Sequence, residues 1–303
     1  MRKTTEIMAV SGHDDEIITA GELTELRFID RNNQVVQGIS TRSHKILHSL
    51  VNHAGPQITK AYERFTIDLT SVNHSHLSKE DLEATIGELA GTVICIDVQT
   101  RKGAAKRYGS FLSDVVVYDE ETSQLEYEFS PLMRSIFKNS NHWAALSARA
   151  LYAFESGYGI RLYEMITLRE NLKYKQEETF TINELRQRFG VKSGKLKSWN
   201  DFKRFVLEKA IREVNLLSGA VVTYVVIKRG RKIERVTLSW RIKDANERDL
   251  TNHLLEKTRS ERNTFKKTAY EREEIERQEK RKLIQKELEN QHSYTQADIE
   301  DYT

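Results

Sequence analysis

Residues 180–217 read FTINELRQRFGVKSGKLKSWNDFKRFVLEKAIREVNLL and contain the signals from which the fold is predicted. Thr181-Ile-Asn-Glu184 is a capping box, which predicts a short helix that ends at Phe189-Gly190. A turn rich in lysine, glycine and serine follows, and Ser198 with Asp201 three residues later predicts the start of a long helix. Apolar residues recur along this helix at helical spacing and predict its buried face: Phe202, Phe205, Val206, Ala210, Ile211, Val214 and Leu217.

The residues on either side complete a recognisable order of elements. Residues 221–228 and 233–240 are rich in β-branched residues, and Arg229-Gly-Arg-Lys232 between them predicts a hairpin turn. Upstream, residues 158–172 have a helical pattern and Thr179-Phe180 predicts a short strand. The order is helix, strand, helix, helix, strand, turn, strand. This is the order of a winged helix, a helix-turn-helix variant with a β-hairpin beside it.

The first half of the chain repeats this order. Helical patterns cover residues 39–53 and 79–90, and strand patterns cover residues 65–69, 92–98 and 111–118. We therefore expect an α+β chain with two tandem winged-helix domains. The domains are predicted at residues 1–148 and 149–243, and a charged tail, helical or partly disordered, at residues 244–303.

Composition limits the classes of protein that remain. The chain has 303 residues, of which 38% are hydrophobic and 31% charged, and Cys95 is its one cysteine. A single cysteine excludes a disulfide framework, and no apolar run approaches the roughly 18 residues of a membrane span. We therefore expect a cytoplasmic protein without membrane contact.

The mild net charge of +3 conceals a strong asymmetry. Residues 1–148 hold 15 Lys/Arg and 20 Asp/Glu, residues 149–243 hold 21 and 10, and residues 244–303 hold 12 and 15. The net charges are therefore −5, +11 and −3. A basic block between acidic ones predicts a polyanionic partner for the second domain, and double-stranded DNA is the partner that a winged helix suits.

Candidate DNA-binding residues cluster at and just before the start of the long helix. A recognition helix places its N-terminal residues in the major groove, where Arg or Lys can bond guanine and Asn can pair with adenine. Cations at a helix N-terminus oppose the helix dipole, which favours a nearby phosphate or base over a merely solvated helix end. The candidates are Lys195, Lys197, Ser198, Trp199, Asn200, Lys203 and Arg204.

Further candidates lie in turns and near helix ends. The hairpin tip is predicted to act as a wing that follows phosphates, and a comparable basic segment joins two predicted strands of the first domain. The helix at residues 79–90 is acidic, so it is not predicted to read bases. The candidates are Lys228, Arg229, Arg231 and Lys232 at the tip, Lys173 and Lys175 after the first helix of the second domain, and Arg101, Lys102, Lys106 and Arg107 in the first domain.

Enzymatic alternatives find little support. His74-Ser-His76 with Tyr224 and Lys228 resembles the parts of a metal-dependent rolling-circle nicking site, but the residues around the histidines do not form the bulky apolar strand of such a site. Gly190 to Lys195 falls one residue short of a phosphate-binding loop. We therefore predict no catalytic residue, no metal site and no cofactor.

The second domain resembles the replication initiator (Rep) proteins of iteron-containing bacterial plasmids. The motifs that carry the resemblance are Tyr158-Gly-Ile-Arg-Leu-Tyr-Glu164, Phe180-Thr-Ile-Asn-Glu-Leu-Arg186, Phe189-Gly-Val191, Asp201-Phe-Lys-Arg204, Glu213-Val-Asn215 and Lys228-Arg-Gly-Arg-Lys232. The resemblance implies two winged-helix domains, with base- and phosphate-contacting cations at Lys203 and Arg204 and a basic hairpin at Arg229, Arg231 and Lys232.

The same resemblance implies partners and a mode of action. A monomer would bind directly repeated origin sequences, or iterons. A homodimer in equilibrium with it, formed largely through the first domain, would bind an operator inverted repeat and repress the gene of the initiator. The host replication initiator, helicase and chaperones would be further partners. The alternative that stays open is a winged-helix transcriptional regulator without initiation activity.

Overall fold

The computed structural model describes residues 15–28, 36–74, 77–118, 123–170, 175–258 and 260. The chain divides into two compact units, residues 1–255 and residues 256–303. The first unit contains every strand that the described residues form, and both domains predicted from the sequence lie within it.

The first part of this unit contains both helices and antiparallel strands. The helices are α1 (Thr41–Ala54), α2 (Leu69–Val72), α3 (Lys79–Gly91), α4 (Pro131–Asn139) and α5 (Ala148–Ala153). The strands are β1 (Glu16–Ala20), β2 (Arg27–Phe28), β3 (Phe65–Asp68), β4 (Ile94–Thr100), β5 (Gly103–Gly109), β6 (Leu112–Val117), β7 (Gln124–Phe129) and β8 (Trp143–Ser147). Their sheets have the orders β1-β8, β2-β4-β5 and β3-β7-β6.

Serine caps explain where three of these helices begin. The Oγ atoms of Ser40, Ser78 and Ser130 each accept a hydrogen bond from the backbone N–H three residues later, at 3.1 to 3.2 Å. Each bond satisfies one of the N–H groups that the first turn of a helix leaves without a partner. Pro131 occupies the first turn of α4, where its missing N–H costs nothing.

The second part of the unit has the winged-helix order. It comprises α6 (Gly157–Glu170), β9 (Glu177–Thr181), α7 (Ile182–Arg188), a long helix α8, β10 (Ala220–Arg229) and β11 (Lys232–Ile242). Helix α8 has three consecutive segments, Trp199–Phe202, Lys203–Leu207 and Glu208–Leu217, of which the middle one is a π-helical turn. The strands form one antiparallel sheet of order β10-β11-β9. The predicted α+β class with tandem winged helices is thus confirmed.

Two hydrophobic cores hold the unit together. One is built from α1, α3, α4 and the strands around them, with Leu50, Leu125 and Phe137 fully buried. The other is built around α6 and α8 and the sheet β10-β11-β9, with Ile166, Phe202 and Leu238 fully buried. Strands β1 and β8 contribute Ile17, Ala144 and Leu146 to this second core, although β1 lies near the N-terminus of the chain.

The described part of the tail is helical over residues 245–258. Leu255 is buried in the second core. The Lys243 ammonium just before this helix donates hydrogen bonds to the Asn215 carbonyl and to Thr251 Oγ1. The start of the tail is thus fixed to the second domain rather than solvated on all sides. None of the helices in the described ranges has the length and apolar character that a membrane span requires.

Candidate nucleic-acid interface

The turn between α7 and α8 sets the position of the candidate residues that precede α8. Gly190 and Gly194 have φ of +66° and +81°, values that glycine adopts without strain. The predicted capping box at the start of α7 is confirmed, because the Thr181 and Glu184 side chains each bond the other residue's backbone N–H. The capping box therefore fixes where α7 begins, and the two glycines allow the turn that connects α7 to α8.

Arg186 stabilises this turn by hydrogen bonds to its backbone carbonyls, a role that we did not predict from the sequence. Its guanidinium donates hydrogen bonds to the carbonyls of Lys195 at 3.1 Å and Lys197 at 3.2 Å, and also to that of Leu196. The same guanidinium lies over the Phe202 ring, 4.8 Å from its centroid. Arg186 thus links the turn that carries two candidate lysines to the core residue at the start of α8.

Two predicted contact residues at the start of α8 have structural roles. Ser198 Oγ accepts a hydrogen bond from Asp201 N at 3.0 Å and donates one to Asp201 Oδ2 at 2.7 Å, so it caps the helix. Trp199 is half-buried, packs on the second core and lies 6.1 Å from the Phe202 ring centroid. Lys195, Lys197 and Asn200 are exposed around this helix start.

The family resemblance implies that Lys203 and Arg204 contact DNA, but these two residues differ in their surroundings. Lys203 Nζ lies 3.3 Å from Glu208 Oε1, and Tyr224 Oη donates a hydrogen bond to the same oxygen at 3.0 Å. The Glu208 and Tyr224 oxygens raise the pKa of Lys203, so its charge is already partly compensated within the protein. Arg204 is exposed and lies over the Phe205 ring, 4.6 Å from the centroid.

The prediction that Phe205 belongs to the buried face of α8 was wrong. Phe205 is 45% exposed, while Phe202, Val206 and Leu207 are buried. The reason is the π-helical turn at Lys203–Leu207, which holds more residues per turn than an α-helix and so changes which side chains face the core. A period of 3.6 residues extrapolated from the sequence does not hold across such a turn.

Helix α8 also exposes two cations that the sequence analysis missed. Lys209 and Arg212 are exposed, and they lie four and seven residues after Phe205, a spacing that puts them on its side of the helix. That spacing was the signal available in the sequence. We call the exposed side formed by Asn200, Arg204, Phe205, Lys209 and Arg212 the recognition surface.

The hairpin tip is basic and exposed, as predicted. The tip turns at Gly230, which has a φ of +63°, and β10 and β11 pair in a register that shifts between Ile227 and Lys228. The four cations Lys228, Arg229, Arg231 and Lys232 are all exposed there. We call them the basic wing. A mobile cationic side chain at such a place can contact phosphates without depending on base sequence.

The basic segment of the first domain differs from its predicted form. We expected Arg101 to Arg107 to connect two strands, but residues 103–109 themselves form β5, paired with β4 through a turn that Gly103 closes at a φ of +114°. Only Arg101 and Lys102 lie at the tip, while Lys106 is exposed on β5. Arg107 donates hydrogen bonds to Ser135 Oγ at 2.7 Å and to the Pro131 carbonyl, so it joins β5 to α4.

The last two predicted candidates are Lys175 and Lys173, and the structure describes only Lys175. Lys175 Nζ lies 3.2 Å from Glu178 Oε2. Lys173 lies outside the described residues.

The residues of the nicking alternative are not arranged as a metal site in the described part of the chain. His74 Nε2 lies 2.9 Å from Ser49 Oγ, and its ring stacks on Tyr152 with 3.7 Å between centroids. Tyr224, on β10, donates a hydrogen bond to Glu208 Oε1 on α8. Within the described ranges, no three His, Cys, Asp or Glu side chains are grouped as metal ligands would be. His76 lies outside those ranges.

A tandem pair of winged helices, of which the second carries a basic wing and an exposed cationic helix, defines a DNA-binding protein. Comparison with protein families makes the class more specific. Residues 29–167 match the family described as "Initiator Replication protein, WH1", and residues 181–240 match "Initiator Rep protein, WH2". The chain belongs to this family of plasmid replication initiators.

A solved structure gives a weaker likeness. It is the "X-Ray Crystal Structure of the MSBI1.176 WH1 Domain, a Replication Protein Isolated from a Multiple Sclerosis Patient". The sequences are 15% identical, the match covers 32% of this chain and 79% of that one, and the TM-score is 0.24. So low a TM-score adds nothing to the family assignment. A comparison with curated proteins finds no match to the chain.

Proposed function

We propose that the chain initiates plasmid replication by binding directly repeated origin sequences, and that its second domain reads those sequences. The observation that carries the proposal is the recognition surface beside the basic wing. Helix α8 presents Asn200 and Arg204, which can bond adenine and guanine edges, and the wing adds four exposed cations for the phosphate backbone.

The first domain contributes phosphate contacts rather than base readout. Its helix α3 has Glu80 and Asp81 in the first turn and carries the exposed Glu83, a surface that phosphate would repel. The first-domain tip instead offers Arg101 and Lys102. Two modules bound side by side on one face of DNA would cover about two helical turns.

A homodimer in equilibrium with the monomer would repress the gene of the initiator by binding an inverted repeat. The first domain supplies the surface for it: β5 is the edge strand of the sheet β2-β4-β5, and Tyr108 on β5 is 52% exposed. The edge strand of a sheet can pair with a strand of a second chain. The host initiator, helicase and chaperones complete the proposed partners, and the protein acts by binding rather than by catalysis.

Replication in trans separates this proposal from a regulator that only binds promoters. A plasmid that carries the DNA flanking the gene of this protein, and no initiator of its own, should be maintained only in cells that supply the chain. Binding to the same DNA without plasmid maintenance would favour the transcriptional regulator. The variant Arg204→Ala should fail to maintain the plasmid while the protein remains folded.

A covalent adduct would point to the third class. The nicking alternative requires divalent-metal-dependent cleavage and a bond between DNA and Tyr224. Incubating the full chain with radiolabelled origin DNA and Mg²⁺ or Mn²⁺ should leave the DNA uncut and unattached, and a labelled protein band that Tyr224→Phe removes would contradict the proposal.

A further inference from the structure

Phe205 is the one large apolar side chain in the recognition surface, and it lies outside both hydrophobic cores of the described residues. It is 45% exposed between cations, whereas the core side of α8 is already filled by Phe202, Val206 and Leu207. Exposure of a phenyl ring to water is unfavourable, since each buried CH₂ equivalent gains about 0.8 kcal/mol. A ring kept in this place is therefore suited to a contact made on binding.

The backbone is shaped to expose this ring. The π-helical turn Lys203–Leu207 interrupts α8 where an uninterrupted α-helix was expected from the sequence. Such turns are uncommon within helices and occur frequently at functional sites. The turn buries Val206 and Leu207 side by side and leaves Phe205 facing outward.

Arg204 holds the ring from one side. Its guanidinium carbon lies 4.6 Å from the centroid of the Phe205 ring, within the range of a cation–π contact. An apolar ring and a planar donor are thus presented next to each other, in the first half of the recognition helix, the part that enters the major groove. In that groove the apolar feature of DNA is the C5-methyl group of thymine, and guanine offers two acceptors to an arginine.

We propose that Phe205 is a specificity-determining residue that packs against the C5-methyl group of one thymine in the recognised DNA, with Arg204 positioning the ring. The inference rests on the proposed function, because it requires α8 to lie in the major groove. It predicts a thymine at one defined position of every repeat, next to the base that Arg204 contacts.

The experiment removes the methyl group alone. DNA that the full chain enriches from a random-sequence pool is resynthesised with each thymine replaced in turn by deoxyuridine, and Kd is measured for every duplex. At one thymine the replacement should weaken binding of the unmodified protein about fourfold, as loss of one buried methyl implies. 5-Bromodeoxyuridine, whose bromine is close to a methyl group in size, should restore binding.

Protein variants then assign the effect. In Phe205→Ala the deoxyuridine replacement should have no further effect, and Phe205→Leu should keep part of it. Leu216→Ala is the matched control, because Leu216 is 51% exposed and lies eleven residues further along the same side of α8, about 16 Å away. It should keep the full fourfold effect. Circular dichroism should show all three variants folded, since both positions are exposed.

Several outcomes would overturn the inference. Equal deoxyuridine effects in the unmodified protein and in Phe205→Ala at every thymine would do so, as would unchanged affinity of Phe205→Ala, which would assign the ring to a protein partner instead. A pool from which no sequence is enriched would refute the proposed function together with the inference. An enriched sequence that lacks the coupling to Phe205 would refute the inference alone.

Discussion

Replacing Arg186 by methionine should weaken DNA binding even though Arg186 itself is placed to contact the protein and not the DNA. The guanidinium bonds the carbonyls of Lys195 and Lys197 at 3.1 and 3.2 Å and lies 4.8 Å from the Phe202 ring centroid. Methionine keeps an unbranched apolar stem but removes these contacts. The turn before α8 then loses a side chain that joins its carbonyls to the core.

The magnitude follows from the contacts. The hydrogen bonds to the Lys195, Leu196 and Lys197 carbonyls contribute about 0.5 kcal/mol each at this half-exposed place, and the cation–π contact contributes about 0.5 kcal/mol. The freed carbonyls regain water because the turn is exposed, so we expect a loss of about 2 kcal/mol in the free energy of unfolding. For a unit of this size that lowers Tm by about 4 to 8 °C.

The effect on DNA arises because Lys195 and Lys197 lose a fixed position. Ordering the backbone of one residue of this turn again on binding costs about 1 to 2 kcal/mol, which predicts a Kd for specific DNA about tenfold higher. Fluorescence anisotropy with labelled duplex, well below Tm, measures this. Arg188→Met is the matched control, because Arg188 pairs with Glu25 at 2.7 Å and lies over Phe180, away from the turn. Equal weakening of binding in Arg188→Met and Arg186→Met would contradict this role of Arg186, as would normal binding by Arg186→Met.

Three further predictions concern the recognition surface, the wing and a buried carboxyl. Arg204→Ala should raise the Kd for specific DNA at least tenfold. Lys203→Ala should raise it only a few-fold, because Lys203 is already paired with Glu208. Equal increases in Kd for the two variants would contradict this difference. Arg229→Ala combined with Arg231→Ala should lower affinity for all sequences and reduce the slope of log K against log salt by about 2, and an unchanged slope would remove the wing from the interface. Burial raises the pKa of Glu213 to about 7, and its Oε2 makes no hydrogen bond within the described residues. The folded chain therefore holds a proton that the unfolded chain releases above pH 4.5, and stability is lost as pH rises toward 7. Glu213→Gln should be more stable than the unmodified protein by about 1 to 2 kcal/mol at pH 8 and no more stable at pH 4, as denaturant unfolding would show; a constant difference across this range would contradict the assignment.

The fold could be predicted because the signals that begin and end its helices and strands are local in the sequence. The capping box at Thr181–Glu184, the Ser198 cap and the two β-branched runs around Arg229–Lys232 depend on residues a few positions apart, and each element appears where these signals place it. Segmental charge likewise pointed to the second domain. Signals of this kind survive folding because they act through the backbone next to them.

What could not be predicted depends on geometry or on distance along the chain. The π-helical turn has no sequence signature in a period of 3.6 residues, so Phe205 was assigned to the core. Strand β5 was read as a connection because its alanines, glycine and cations suggest a loop, and pairing with β4 overrides that preference. Contacts between distant helices leave no local trace.

The clearest example of such a distant contact joins α1 to α6. His48 on α1 and Glu164 on α6 are both buried and lie 2.5 Å apart between Nε2 and Oε1, although 116 positions separate them in the chain. The helical patterns indicated only that each lies on a helix. Arg161, one turn before Glu164, donates a hydrogen bond to the Leu26 carbonyl and is equally buried. No spacing rule connects residues so far apart.

Footprinting of the full chain on the DNA that flanks its own gene would show whether the second domain reads repeated DNA through the recognition surface and the basic wing. We expect a series of protected segments, each about two helical turns long and in the same orientation, which Arg204→Ala abolishes without unfolding the protein. Uniform protection that is independent of sequence, or a repeated footprint that survives Arg204→Ala, would contradict this expectation.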